Sequence, residues 1–587
     1  MDVESNQLPL KVPLEDDQDV QDATDLAGMG HAQALTRKFN IWSMFALAFC
    51  VLGRSLPTGP PDSDWANIIE RSDTWPELAD WCILKLFSLS YSYVFFFKPT
   101  GTYSTFAQDL SSGLSNGGPI SILWGLVLVT ICNLCVAVSL GELTSSMPTA
   151  LGQAYWVYRL WKTPTGRFCS YMCAWINTFG WWTLTASQVA FMTDFILGMK
   201  NLFNPDWTGN NQGWLQFVVY IGIVFLLTLV NVVSCRREQI LPWINNFVGV
   251  WFVGLFIVLS MTILICVGVK ADLHFQSAKF VFGAWINQTG WSDGVTWFIG
   301  LVQAAYGLTA FDSVIHMVEE IPNPRRNVPR VIWMAVLSGA ISGFIFMVVC
   351  LFAIQSVDNV TGANIPFMEL ILETVGAKGG AVLLAFFIFN GLGQGISCLT
   401  TASRLTWGFA RDGGLPFSSY FSHIDPVWQV PARALWAQGV IIAIVGVLYL
   451  FANAVLTAIL SVSTIALTIS YAMPIVALLV AGRDNLPAGG SAGLGRFGPW
   501  ANWISIVYCV ITSIFFLFPG SPNPAPSDMN YAIAVFGVML VIAIAFWFIR
   551  GSRRYLQTED AIAQMYYAQH LEHAESTAEP RSDADSK

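Results

Sequence analysis

One stretch constrains the fold more than any other: Trp297 to Pro329, WFIGLVQAAYGLTAFDSVIHMVEEIPNPRRNVP. Its first half is an apolar run of the kind that crosses a membrane. It breaks at Tyr306-Gly307-Leu308-Thr309-Ala310, and an acid, Asp312, follows within hydrocarbon depth. Loosened backbone and a carboxylate are tolerated in lipid only where protein or a water-filled cavity surrounds them. Beyond the break, Asp312, His316, Glu319 and Glu320 recur at i, i+4, i+7 and i+8, which predicts one shared helical face. Arg325, Arg326 and Arg330 close the stretch. The pattern reads as a discontinuous helix that binds a small polar solute and gates its release. A kinked helix with acids at an ordinary water interface is the plainer alternative.

The rest of the chain suits a membrane core. Of its 587 residues 54% are hydrophobic and 11% charged, against roughly 25% charged in soluble domains. The fold class is therefore an all-α integral membrane protein. Runs of about 20 apolar residues recur from 119–141 to 530–549, and with a broken first span counted once they number twelve. A cytoplasmic N-terminus puts Arg159, Lys162, Arg167, Arg236, Arg237, Arg325, Arg326, Arg404, Arg411 and Arg483 on the inside, as the positive-inside bias requires. The same topology leaves two glycosylation sequons, at Asn287 and Asn359, outside. The 11 cysteines lie mostly within apolar runs, where they read as small packing residues. No cleavable signal opens the chain, so the first span is expected to target it.

Residues 1–36 read as a disordered, acidic cytoplasmic tail, 37–550 as the membrane domain, and 551–587 as a polar cytoplasmic C-terminal tail. The first span is the irregular one. Ile41 to Gly53 is apolar but only thirteen residues long, roughly 20 Å of helix against a hydrocarbon core of ~30 Å. A polar, proline-rich segment interrupts it, and Gly101-Thr102-Tyr103-Ser104 reads as its continuation. Residues 54–101 (or 53–100, since glycine stands at both edges) are expected to be an insertion, such as a translated intron. Counting Cys82 to Phe97 as a further span would invert the topology and place the sequons inside and the arginines outside.

Two interrupted spans at corresponding positions, the first and the sixth, point to an inverted repeat with a central site. The expected binding residues are Gly53, Gly101, Thr102, Tyr103 and Ser104 in span one. In span six they are Tyr306, Gly307, Leu308, Thr309 and Ala310. Free N–H groups at half-helix N-termini favour a carboxylate and free carbonyls an ammonium, so the pair suits an amino acid. Trp181, Trp182, Phe311 and the stretch from Asn390 to Gln394 are further candidates for the pocket wall. An aromatic cage would also suit choline.

Three stretches carry a family resemblance: Gly141-Glu142-Leu143-Thr144 through Gly152-Gln153-Ala154-Tyr155-Trp156, span six with its EEIPNPRRNVP exit, and Thr401-Ala402-Ser403-Arg404 through Gly414-Leu415-Pro416. Across about residues 36–550, apart from the insertion, the chain resembles fungal members of the amino acid–polyamine–organocation superfamily, in the amino acid/choline (GABA permease-like) branch. It departs from the pattern at Leu151, where many relatives have glycine. The resemblance implies a five-plus-five inverted-repeat core with two peripheral helices. It also implies proton-coupled import of a nitrogenous solute (an amino acid, GABA or a choline-like amine) across the plasma membrane, with the vacuolar membrane as alternative. Asp312 would be the coupling or gating acid, His316 a proton relay, and Glu319 and Glu320 would form cytoplasmic gating pairs with Arg325, Arg326 and Arg330. The other classes weighed are a transport-inactive solute sensor, the non-functional product of a mis-spliced gene, and a membrane enzyme. The short tails lack a signalling module. The sequence shows no nucleophile–base set, nucleotide loop, cofactor motif or metal-ligand spacing, and nothing directed at nucleic acid.

Overall fold

The computed structural model describes residues 102–557, apart from short segments at 205, 208, 210–211, 235–239, 426–429, 451–454, 488–489 and 526–528. It also describes Asp22, Leu26, Ala27, Met29, His31, Leu35, Arg37, Phe39, Ser43 and Met44. The expected insertion and its flanking Gly53 and Gly101 lie outside the described residues, as does most of the C-terminal tail.

The outer half of span one is α1 (Thr102–Gln108) and α2 (Leu110–Ser115), separated at Asp109. There follow α3 (Gly118–Ser146), the short α4 (Gln153–Leu160), α5 (Pro164–Asn201), α6 (Gly213–Ser234) and α7 (Ile240–Val269). Span six is split into α8 (Asp293–Gly307) and α9 (Ser313–His316). The longer helices that follow are α10 (Pro324–Ala353), α11 (Ala377–Arg411), α12 (Ala432–Gly446), α13 (Val455–Ala481), α14 (Gly498–Phe515) and α15 (Ala532–Phe546). Helix starts follow local chemistry. Pro164 opens α5 where a missing N–H costs nothing, and the Thr163 hydroxyl accepts from the Gly166 N–H at 3.0 Å.

Nine helices among the described residues are long and apolar enough to cross a membrane. To these the fold adds α5, which is less apolar and almost wholly encased by protein, the split span six and the outer half of span one. Together they account for the twelve expected spans. The encased helices carry the polar side chains: α3 packs along α10, and α5 along α13 and α11. The outer helices α6, α7, α14 and α15 expose Phe225, Phe247, Trp503 and Val541 as a lipid-facing surface does.

Loops fix the two ends. The loop after α7 meets the loop after α10, where Gln276 N–H donates to the Phe352 carbonyl at 2.9 Å and its Nε2 to Ile354 at 2.8 Å. This end carries both sequons, with Asn359 exposed and Asn287 donating to Asp293 at 3.0 Å. At the opposite end, a described part of the acidic leader is packed rather than solvated. Asp22, Leu26, His31 and Leu35 are buried, Asp22 accepts from the Asn323 N–H at 2.9 Å, and the Tyr155 hydroxyl donates to the Met29 carbonyl at 3.2 Å. Composition alone reads such a segment as disordered because it is polar and acidic, while the partners that bury it, such as Tyr155, Asn323 and Asp412, lie far along the chain.

Candidate substrate and coupling site

The break in span six is held open by other helices. Its first half ends at Gly307, where a Cβ would lie 2.1 Å from the Phe106 ring; Gly343 of α10 flanks the same ring, at 2.0 Å. Only hydrogen at both positions lets spans one, six and seven meet. Ala310 then takes φ +66°, a left-handed conformation unusual for a side chain with a Cβ. Polar partners take up what the break releases. Asn133 Nδ2 donates to the Leu308 carbonyl at 3.3 Å, and the Ala310 N–H donates to the Tyr471 hydroxyl at 3.2 Å. Span one shows the counterpart: Gln303 Nε2 donates to the Phe106 carbonyl, at 2.8 Å, beside the interruption at Asp109.

A small pocket lies against this break, lined by Thr105 of α1, Leu184 and Gln188 of α5, Tyr306, Gly307, Thr309 and Ala310 of span six, and Gln394 and Cys398 of α11. Gln394 Nε2 donates to Thr105 Oγ1 at 3.2 Å, and the Tyr306 hydroxyl meets Ser187 Oγ at 2.9 Å. Of the expected residues, Tyr306, Gly307, Thr309, Ala310 and Gln394 come together here. Tyr103 does not: its hydroxyl donates to the Phe252 carbonyl at 3.3 Å and its ring packs on Phe256 and Phe346. Leu308 and Asn390 are fully buried but do not line the pocket, Ser104 is buried, and of Thr102 only the backbone is described. The Phe311 ring packs against that of Tyr471, tilted by 39° at 5.0 Å between centres.

One helical turn further inward, Asp312 is fully buried and collects donors from three other helices. Its Oδ2 accepts from Gln153 Nε2 at 2.8 Å and from Trp181 Nε1 at 3.3 Å, and its Oδ1 accepts from the Tyr471 hydroxyl at 2.7 Å. His316 Nε2 stands 3.1 Å from the same Oδ2. The other ring nitrogen, Nδ1, lies 2.9 Å from the Ala150 carbonyl; since a carbonyl only accepts, Nδ1 carries a hydrogen. Asn177 Nδ2, 3.3 Å from the same Nε2, can donate to it, whereas a hydrogen bond between Nε2 and Oδ2 needs one further proton, on the imidazole or on the carboxyl, because without it two lone pairs face each other. Asn177 Nδ2 donates to Gln153 Oε1 at 3.1 Å and closes the network. Gly152, at φ +56°, lets α4 begin against Ile315 and His316.

The shared face expected for the four titratable residues extends only to His316. The helix ends there and a 3-10 turn, Val318–Glu320, re-aims the two glutamates. Both are buried, and their pairs come from the inner end of α11 rather than from the arginines that follow them. Glu320 pairs with Arg404 at 2.8 Å, and Glu319 accepts from Arg411 with both oxygens at 2.9 Å and from the Ala150 N–H at 3.2 Å. Arg325 donates to the Ser145 and Ser146 carbonyls, both at 3.3 Å, while Arg326 and Arg330 are exposed. The remaining tryptophan of the pair, Trp182, donates to Thr406 at 3.1 Å, away from Asp312.

Sequence reasoning missed Gln153, Asn177, Gln188 and Tyr471 as site residues. Asn177 and Gln188 are amides within the polar, protein-encased helix α5, Gln153 opens α4, and Tyr471 stands among other hydroxyls of α13, so no one of them is singled out by its own sequence. Glu142 was quoted for the resemblance without a role; it accepts from Arg483 Nη2 at 2.5 and 2.7 Å and from the Leu494 N–H at 2.8 Å, tying the inner end of α3 to the loop after α13.

Comparison with known proteins agrees with this architecture. The profile of the amino acid permease family matches residues 83–557. A choline transporter of Saccharomyces cerevisiae is 30% identical over 473 residues, covering 79% of this chain and 81% of that protein. A putative amino acid/polyamine transporter of Macrophomina phaseolina is 30% identical over 446 residues, 75% of this chain and 96% of its own length. An amino-acid permease of Arabidopsis thaliana is 27% identical over 486 residues, 80% and 91% of the two chains. With broken helices around a buried acid, a polar pocket wall beside the break and a match over most of its length, the chain belongs to the amino acid permease family of multi-pass membrane transporters, within the amino acid–polyamine–organocation superfamily.

Proposed function

We propose that this transporter imports a small nitrogenous solute, an amino acid, GABA or a choline-like amine, by proton-coupled alternating access. The pocket against the span-six break holds the solute. Thr105, Gln188, Tyr306 and Gln394 offer hydroxyls and amides to it, and freed backbone groups supply the partial charges that an ammonium or carboxylate needs. Among the described residues the pocket wall carries no charged side chain, so solute charge is met by backbone dipoles and by neighbouring Asp312.

The observation that carries the coupling is the Asp312–His316 contact at 3.1 Å, with Nδ1 committed to Ala150. Protonated, the pair holds α9 against α4 and α5. Loss of its proton sets two lone pairs against each other and favours separation, which loosens the inner half of span six. The pairs Glu320–Arg404 and Glu319–Arg411 close the cytoplasmic side until that happens. Names of relatives support the solute class: one is a choline transporter and another an amino-acid permease. We further propose a plasma-membrane location, glycosylation at Asn287 and Asn359, and an insertion at 54–101.

The test is labelled uptake into fungal cells lacking their own amine and amino acid permeases. Choline, GABA and a panel of amino acids are offered at acid and neutral pH to cells carrying the full chain or the chain without residues 54–101. Uptake by the shortened chain, faster at acid pH, supports the carrier and the insertion together. Equal uptake by the full chain makes the segment a genuine part of the protein. Absence of uptake by either form, with both at the membrane, contradicts transport and favours a solute sensor.

A further inference from the structure

Away from the central site, a recess opens at the inner end of the bundle, where α4 gives way to α5. Its wall is Tyr158, Arg159, Lys162, Thr163, Pro164 and Arg167: three cations and no acid. Arg159 and Lys162 make no side-chain hydrogen bond or ion pair among the described residues. Arg404 and Arg411 are engaged with glutamates and Arg483 with Glu142, while Arg326, Arg330, Arg553 and Arg554 stand on exposed surface. Arg159 and Lys162 differ from both groups in lining a recess.

The position of the recess identifies its occupant. Arg167 donates to the Ser552 carbonyl at 2.6 Å and lies over the Trp547 ring, 5.6 Å from its centre. Trp547 opens the last turn of the final span, and its neighbours Phe548 and Ile549 are 73% and 71% exposed. Such residues at the end of a membrane helix face lipid. Arg553 and Arg554 follow directly and are exposed. The recess is thus cationic inside, and through Arg167 it adjoins the last turn of the final span, which carries exposed apolar side chains. We propose that it binds the phosphate-bearing headgroup of an anionic phospholipid of the cytoplasmic leaflet, with Arg159, Lys162 and Arg167 as ligands and the acyl chains along Phe548 and Ile549. The occupant sits at one end of α4, whose other end supplies Gln153 to Asp312. This assignment does not depend on the transport reading.

The test is native mass spectrometry of the full chain in neutral detergent, titrated with a phosphatidylinositol phosphate or with phosphatidylcholine. The inositol lipid should be retained in preference. Each basic residue near an anionic surface contributes about fivefold, so Arg159→Gln with Lys162→Gln should weaken retention about thirtyfold. A charge-matched control, Arg433→Gln with Arg496→Gln, removes two exposed cations that rest on Tyr420 and Phe497 and should change retention less than twofold. Equal losses in the two double variants would overturn the site, since bulk surface charge would then account for binding. Equal retention of the two lipids would overturn it as well. Inorganic phosphate that competes as strongly as the lipid would refute the lipid as occupant.

Discussion

The Glu320–Arg404 pair offers a worked prediction. The two side chains meet at 2.8 Å and each is 1% exposed. Arg404→Met keeps most of the volume of the arginine stem but leaves Glu320 buried without its counter-charge. Removing one partner of a buried pair costs about 3–5 kcal/mol. That cost falls on the closed arrangement, because opening the inner end of α11 lets water reach the carboxylate. At the lower figure the ratio of open to closed rises about 150-fold. Cys398 reports on it directly, since it lines the central pocket and is 2% exposed in the closed structure. Inside-out vesicles treated with a membrane-impermeant thiol reagent should label Cys398 at least tenfold faster in Arg404→Met, with Cys398→Ala marking the background. Arg404→Met combined with Glu320→Gln removes the orphaned charge and should bring labelling back toward the original rate. Unchanged labelling in the single variant, at normal membrane abundance, would refute the assignment of this pair to cytoplasmic closure.

Further consequences follow from the same geometry. Tyr471→Phe removes the 2.7 Å donor to Asp312 and the acceptor for the Ala310 N–H, a loss of about 1.5–3 kcal/mol for a hydrogen bond to a charged group; uptake should fall at least tenfold without loss of protein from the membrane, and normal uptake would exclude a role for the hydroxyl. Gly307→Ala drives a methyl into the Phe106 ring, a strain of about 1–3 kcal/mol; thermal unfolding in detergent should move down and recover in part with Phe106→Leu, and the absence of any shift would contradict the close approach. Burial, with Arg411 adding to it against Asp412 and Glu319, pushes His31 down to about 4. Between the ordinary value near 6.5 and 4 the released leader binds a proton that the docked leader does not. Docking is therefore strongest above 6.5 and weakens as pH falls through that window. Protease cleavage near His31 should rise between pH 7 and 5 and lose this dependence in His31→Gln; cleavage that falls with acidification would reverse the sign.

Much of the fold was legible because hydrocarbon imposes simple rules on a chain. Apolar length marked the spans, and Gly307 followed by Asp312 marked the break. The resemblance motifs led toward the second half of the site, since Gly152-Gln153 indeed meets Asp312 and His316. What sequence could not supply was pairing across distance. Glu319 and Glu320 were assigned to the nearest arginines, yet a 3-10 turn directs them to Arg411 and Arg404, 92 and 84 residues away. Tyr471 was invisible for the same reason, one of several hydroxyls in its helix, 159 residues beyond the acid that it serves. Tyr103 shows the opposite error: it stands in the right span, but its ring is on the face that packs against α7 and α10. Helical phase at a break is set by the neighbours that hold it open, and those are not encoded locally.

The central claim is that one proton shared by Asp312 and His316 couples the inner half of span six to solute movement. Purified protein in proteoliposomes, with an imposed inward proton gradient and the solute identified by uptake in cells, tests it directly. The original chain should accumulate solute above equilibrium and collapse the gradient as it does so. Asp312→Asn should still exchange solute for solute while failing to accumulate it. Accumulation by Asp312→Asn equal to the original, driven by the same gradient, would contradict the account.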